Sequence, residues 1–241
     1  MYKRQSYDRS DFRSAVFAPD PVRPFPLTSA DAEAGAEPRR EGPAPYAAPH
    51  LARIVADSSD RVSWLRARSR GITATDVAKL STPGSIKAAA LSKLNGSGFG
   101  GNSYTDHGRA REPEIAAWVD ARFGITASSA LFHAAEERRH LATPDGVALR
   151  EDGRVELCEI KTTNKGWRSI PRGYLRQVWW QQYVLGAERT LVVWERHNQF
   201  VPVGEPQYRW VDRDEDEIAQ LLANAAALID TLARMTRPPA P

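Results

Sequence analysis

Apolar positions along the chain follow two periods, and these periods mark out its elements. Residues 60–69 have helical spacing, and Gly71 ends that run. Thr73 or Thr75 is placed to cap a short helix through Leu80. A further helix is expected over 86–94. Residues 109–123 repeat Ile115, Trp118, Val119 and Phe123 at helical intervals, with Gly124 as a stop. The pattern then shortens to strand period. Residues 125–133, 141–149 and 155–162 are expected strands, the last two joined by a turn at Asp152–Gly153. Helix returns over 173–185, ending at Gly186. Two more strands follow at 190–195 and about 199–210. The final helix, about 213–235, aligns Ile218, Leu221, Leu222, Ala225, Leu228, Ile229 and Leu232 on one stripe, with Asp212 as its expected cap. The order of helices and strands predicts an α/β sandwich built on a mixed central sheet.

Composition changes the picture mainly at the N-terminus. Eight of the 17 prolines lie in the first 50 residues, among Ala, Glu, Arg and Ser without periodicity. Residues 1–50 are therefore expected to be a disordered arm, and 51–241 a single domain. Met1–Gln5 resembles a translated adapter tail and is set aside. Residues 95–102 hold four glycines and are expected to form a loop. No apolar run is long enough to cross a membrane. Cys158 is the single cysteine, which excludes internal disulfides and four-cysteine metal sites and points to a reducing cytoplasm.

The net charge of +3, from 33 basic and 30 acidic residues, is modest, so placement matters more than the total. The first 50 residues cancel, with seven charges of each sign. Residues 161–176 hold Lys161, Lys165, Arg168, Arg172 and Arg176 and no acid. Residues 60–112 hold nine basic and four acidic groups. Two basic stretches flanking a carboxylate centre suit a nucleic-acid track. Trp167 and Tyr174, within the second stretch, are of a type that stacks on bases.

The chemistry concentrates in Thr143-Pro144-Asp145-Gly146 and Glu159-Ile160-Lys161. Alternation along a strand sets Glu159 and Lys161 on one face and Cys158 and Ile160 on the other. The hairpin returns Asp145 beside Glu159. Two carboxylates, the Ile160 carbonyl and an ammonium suit a hard divalent cation and phosphodiester hydrolysis. Glu112, three residues before Ile115, supplies a third carboxylate from the buried side of its helix. Arg68 offers a fork for phosphate, next to the helix start at Thr75.

Four blocks in order resemble the lambda-exonuclease, or YqaJ-type, viral recombinase nucleases of the PD-(D/E)xK superfamily. They are Trp64 to Arg68 with Gly71 to Asp76, then Gly108 to Pro113, then Thr143 to Gly146 with Glu159 to Lys161, and finally Tyr174 to Gln177 followed by Gln181 and Gln182. The resemblance covers roughly residues 60–195. It implies a restriction-endonuclease-like core and a Mg²⁺-dependent 5′-to-3′ double-strand DNA exonuclease, with Mn²⁺ as a substitute, that leaves 3′ overhangs for recombination. Glu112, Asp145, Glu159 and the Ile160 carbonyl would hold the metal, Lys161 would be the catalytic lysine, and Gln177 would support the site. Arg68, Thr75 and Thr143 would bind a 5′ phosphate. Trp64, Lys165, Arg168, Arg172, Tyr174 and Arg176 would lie along the DNA. The implied assembly is a trimer working with a single-strand annealing protein in a bacterial or phage-infected cell. The alternatives are a non-processive endonuclease or DNA repair nuclease of the same superfamily, or an inert DNA-binding module.

Overall fold

The computed structural model describes residues 48–96 and 102–237. The expected arm up to residue 47 and the centre of the glycine-rich loop, 97–101, lie outside the described residues. After a short 3-10 turn, Leu51–Arg53, the elements are β1 (Ile54–Asp57), α1 (Arg61–Arg70), β2 (Ile72–Thr73), α2 (Ala74–Val77), α3 (Pro83–Leu94) and α4 (Ser103–Phe123). Then come β3 (Thr126–Ala127), β4 (Ala130–His133), β5 (His140–Ala142), β6 (Gly146–Leu149) and β7 (Val155–Thr163). The chain ends with α5 (Arg172–Leu185), β8 (Arg189–Asn198), β9 (Val201–Pro202), β10 (Gln207–Asp212) and α6 (Glu215–Thr236).

The strands form two sheets. The smaller runs β1-β4-β5-β2, with β2 and β5 parallel. The larger runs β10-β8-β7-β6-β3, with β9 paired to β8. Only β7 and β8 are parallel in it, so the sheet is mixed as expected. Alternation along β7 decides what covers each face. Val155 and Leu157 join the core beneath α5 and α6, with Trp179, Trp180, Leu221 and Leu228. Cys158 and Ile160 pack on the opposite side with Ile115, Ala116 and Val119 of α4. The sheet is thus sandwiched between α4 and the pair α5/α6.

Several boundaries differ from the sequence reading for identifiable reasons. The expected strand 141–149 is two strands in different sheets. The chain leaves the smaller sheet after Ala142 and enters the larger at Gly146, and Pro144 between them has no N–H for either ladder. The stretch 125–133 divides likewise, its Ser128 amide donating to the Asp145 carbonyl at 3.0 Å. Residues 199–210 are interrupted because Gln199 and Phe200 both adopt positive φ, turning β9 back onto β8. The last helix starts at Glu215, capped by Asp214, which accepts from the Glu217 amide. Asp212 is still extended there and pairs with Arg189. α4 begins six residues earlier than expected, where Asn102 caps it, and continues through Pro113.

Candidate active site

Asp145 sits where the chain crosses between sheets. Its amide donates to the Cys158 carbonyl at 3.0 Å, and its Oδ2 accepts from the Ile160 N–H at 2.6 Å. The carboxylate is thereby pinned against β7 beside Glu159 and Lys161. Gly146 makes this approach feasible: a Cβ there would lie 3.1 Å from the Cys158 Cβ and 3.2 Å from the Thr126 carbonyl oxygen. Burial, then the Glu159 charge, pushes the Asp145 carboxyl well above the usual carboxylate range, against the pull of Lys161.

Glu159 is 4% exposed, and both of its oxygens are engaged. Lys161 Nζ pairs with Oε1, and Gln181 Nε2 donates to Oε2 at 2.6 Å. Burial alone would lower Lys161, but Glu159 and Asp145 outweigh it and hold the ammonium above its ordinary value. Its Nζ also lies 5.4 Å from the centre of the Tyr174 ring. Glu112 reaches toward the same cluster from α4. Burial raises its carboxyl, Lys161 pulls it down and Glu159 pushes it up.

The support expected from Gln177 comes from Gln181 instead. Both lie on one face of α5, four residues and about 6 Å apart along the axis. The turn that lies level with Glu159 is the one bearing Gln181. Nor do Glu112, Asp145 and Glu159 converge as a closed cage. Among the described residues no three His, Cys, Asp or Glu side chains are so arranged. Glu159 is turned to Lys161 and Gln181, and Asp145 to the Ile160 amide. Ile160 meets Asp145 through its N–H. The donor chemistry nonetheless fits a hard divalent cation, since the groups are carboxylate oxygens, desolvated and mutually repelling.

Next to this centre, Arg68 Nη1 donates to Thr143 Oγ1 at 3.2 Å. Its guanidinium lies 4.3 Å over the Trp64 ring, and burial lowers its pKa, countered by Asp76. The Trp64 indole N–H is buried with no partner. Thr75 is exposed on α2. The start of α2 is not open to an anion. α2 is a single turn, and its cap is closed by Thr73 and Asp76, which exchange bonds of 3.3 and 2.8 Å. Asp76 puts a carboxylate where an anion was expected. The donors gathered beside it are Arg68, Thr143 and the Trp64 N–H.

The model of the YqaJ-like viral recombinase domain matches residues 63–188, more than half of the chain. The chain belongs to that family. Its fold resembles the crystal structure of an alkaline exonuclease (LHK-Exo) from Laribacter hongkongensis, with a TM-score of 0.57 and 20% identity, covering 72% of this chain and 93% of that one. The structure of LHK-Exo in complex with dAMP aligns equally well. A phage-related exonuclease from Haemophilus somnus 129PT aligns with a TM-score of 0.55 and 13% identity, over 68% of this chain and 94% of its own. No curated protein sequence matches the chain. The fold is therefore the PD-(D/E)xK nuclease type expected from the sequence.

Within this YqaJ-like domain the basic stretch is less open than its sequence suggests. Arg172 pairs with Glu217 and covers Trp179 at 5.0 Å. Arg176 donates to the Ala78 carbonyl at 3.4 Å. Trp167 stacks on Trp194 at 5.2 Å and lies 5.3 Å from Tyr174, so these rings pack on each other rather than waiting for bases. Lys165 and Arg168 are exposed in the loop after β7. Sequence reasoning passed over Arg111 and Glu195. Arg111 Nε and Nη2 grip Glu195 at 2.9 and 2.8 Å, which joins α4 to β8 one residue from Glu112. An arginine next to the candidate ligand was the available signal.

Proposed function

We propose that this protein is a Mg²⁺-dependent double-strand DNA exonuclease that digests one strand from its 5′ end and leaves a 3′ overhang for recombination. The supporting observation is the adjacency of two centres. The Asp145–Glu159–Lys161 cluster lies two residues along the chain from the Arg68–Thr143 contact. Asp145, Glu159, the Ile160 carbonyl and Glu112 would hold Mg²⁺ or Mn²⁺. A divalent ion at these oxygens would bring Lewis acidity and a water nucleophile to the scissile phosphate.

The chain's own groups supply the rest. The Lys161 ammonium offsets negative charge that develops on the phosphate. Gln181 orients Glu159. Arg68 and Thr143 donate to a terminal phosphate, whose dianion they favour over an internal diester of single charge. Assembly as a trimer, an annealing partner and a cytoplasmic setting belong to the same reading. End-labelled linear duplex, with and without a 5′ phosphate, is compared with a covalently closed circle in Mg²⁺ and in EDTA. Mg²⁺-dependent loss of the linear 5′-phosphorylated duplex alone is expected. Efficient cutting of the circle would identify an endonuclease.

A further inference from the structure

Beyond Lys161, the ends of β7, β8 and α4 form an aromatic cluster that the cleavage centre does not use. Tyr104 and Phe200 lie with ring centres 5.3 Å apart and are 52% and 41% exposed. Behind them His197 stacks on Phe200 at 5.4 Å with planes 16° apart, and His107 meets His197 edge-on at 4.6 Å. The Nε2 atoms of both histidines are buried without a partner.

Phe200 occupies the tip of the β8–β9 turn with φ of 67°, after Gln199 at 47°. A bulky residue in this region is strained, and glycine or asparagine is the ordinary choice for such a turn. A phenylalanine kept there at a conformational cost, with its ring partly in water, points to a use for the ring.

The cluster shares the α4 side of the sheet with Glu112, while Lys161 turns to the α5 side. Lys161 is level with Trp194 in the β7–β8 register, and His197 is three residues farther on, about 10 Å. Tyr104 precedes Glu112 by eight residues, about 12 Å along α4. A Cβ at Gly108 would lie 3.3 Å from Thr162 Oγ1, so α4 and β7 touch between the two sites. The Asn164 side chain donates to the Tyr104 hydroxyl at 3.4 Å. Along the same segments Lys165, next to Asn164, and Arg109 on α4 are exposed, and Asp106 lies 3.7 Å from Arg109.

We propose that the Tyr104–Phe200 pair is a stacking platform for unpaired bases of the DNA strand next to the scissile phosphate. The proposal rests on the nuclease reading and adds a subsite to it. Flat exposed rings accept any base by its π-face, and Lys165, next to Asn164 in the chain, is placed to meet the backbone.

The test uses the full chain, Ca²⁺, and short 5′-phosphorylated single strands with 2-aminopurine placed at successive positions. Phe200→Gly is the main variant, since glycine suits the positive φ and the turn keeps its shape. Quenching at a position near the 5′ end is expected in the unaltered protein. Phe200→Gly and Tyr104→Leu should each lose that quenching and weaken single-strand affinity on the order of tenfold. Phe200→Trp should restore both. Unchanged quenching and affinity in Phe200→Gly would overturn the platform. So would a change of oligomeric state by sedimentation with base stacking intact, which would assign the surface to contacts between copies. Cleavage of linear duplex by the unaltered protein in Mg²⁺ is scored separately. Its absence would remove the nuclease reading without deciding the stacking result.

Discussion

Gln181 donates its side-chain amide to Glu159 across the gap between α5 and β7, at 2.6 Å, while Lys161 takes the other carboxylate oxygen. Glu159 is therefore held from two sides before any ligand arrives. Loss of one hydrogen bond to a buried charged group costs about 1–3 kcal/mol. Gln181→Leu should lower the single-turnover cleavage rate about ten- to a hundredfold, with duplex affinity in Ca²⁺ nearly unchanged. A fall in affinity at an unchanged rate would show that Gln181 acts on binding and not on Glu159.

Asp145 is buried beside a second carboxylate and pushed toward its neutral form. An amide of the same shape removes that repulsion. Asp145→Asn should abolish Mg²⁺-dependent cleavage and, in metal-free buffer, melt at the same temperature as the unaltered protein or a few degrees above it. Near-normal cleavage would remove Asp145 from the site. A sharp loss of thermal stability would mean that its charge holds the fold.

Arg68→Ala should slow digestion of 5′-phosphorylated ends strongly and erase their advantage over 5′-hydroxyl ends. Asp145, Glu159 and Lys161 are untouched by the change, so residual cleavage should still need Mg²⁺. Initiation rates on both end types, for the unaltered protein and the variant, give the comparison. Equal rates on the two ends in the unaltered protein would leave the pocket without a function.

Glu156 is 2% exposed and clamped by Arg150 and Arg189, whose guanidinium nitrogens lie 2.6–2.8 Å from its two oxygens. Burial pushes its pKa up, but the two arginines outweigh burial and hold it below the ordinary carboxylate value. A depressed folded pKa gives stability that is full above the unfolded value and is lost as pH falls through the folded one. Glu156→Ala should cost about 1–3 kcal/mol at pH 7, because two guanidinium groups, 31% and 39% exposed, lose a charged partner. The gap to the unaltered protein in urea unfolding should narrow on acidification below the ordinary carboxylate range. A gap that stays constant into acid would trace the loss to packing.

What the sequence made legible follows chain distance. Asp145, Glu159 and Lys161 are joined by one hairpin, and period-two alternation along β7 places them. Gln181 was harder, because Gln177 shares its face and the axial position of α5 against β7 makes the choice. Arg172, Arg176 and Tyr174 read as open cationic and aromatic surface. Their partners, Glu217, the Ala78 carbonyl and the Trp167–Trp194 stack, come from elements remote in sequence. The Thr73–Asp76 capping box is readable from local spacing and occupies the helix start that an anion would need.

Thr143 and Asp145 are separated by a single residue, Pro144, in the segment that crosses from one sheet to the other. Pro144 is buried, and both ends of the crossing are fixed by pairing. Two residues of chain span at most about 7 Å. If a terminal phosphate rests on Arg68 and Thr143, the phosphodiester that meets Asp145 is the next one along the strand. The crossing segment is then a ruler made of polypeptide. Each cut would release a unit whose size is set by that fixed spacing, a mononucleotide, whatever the base and however many steps are taken before the strand is let go.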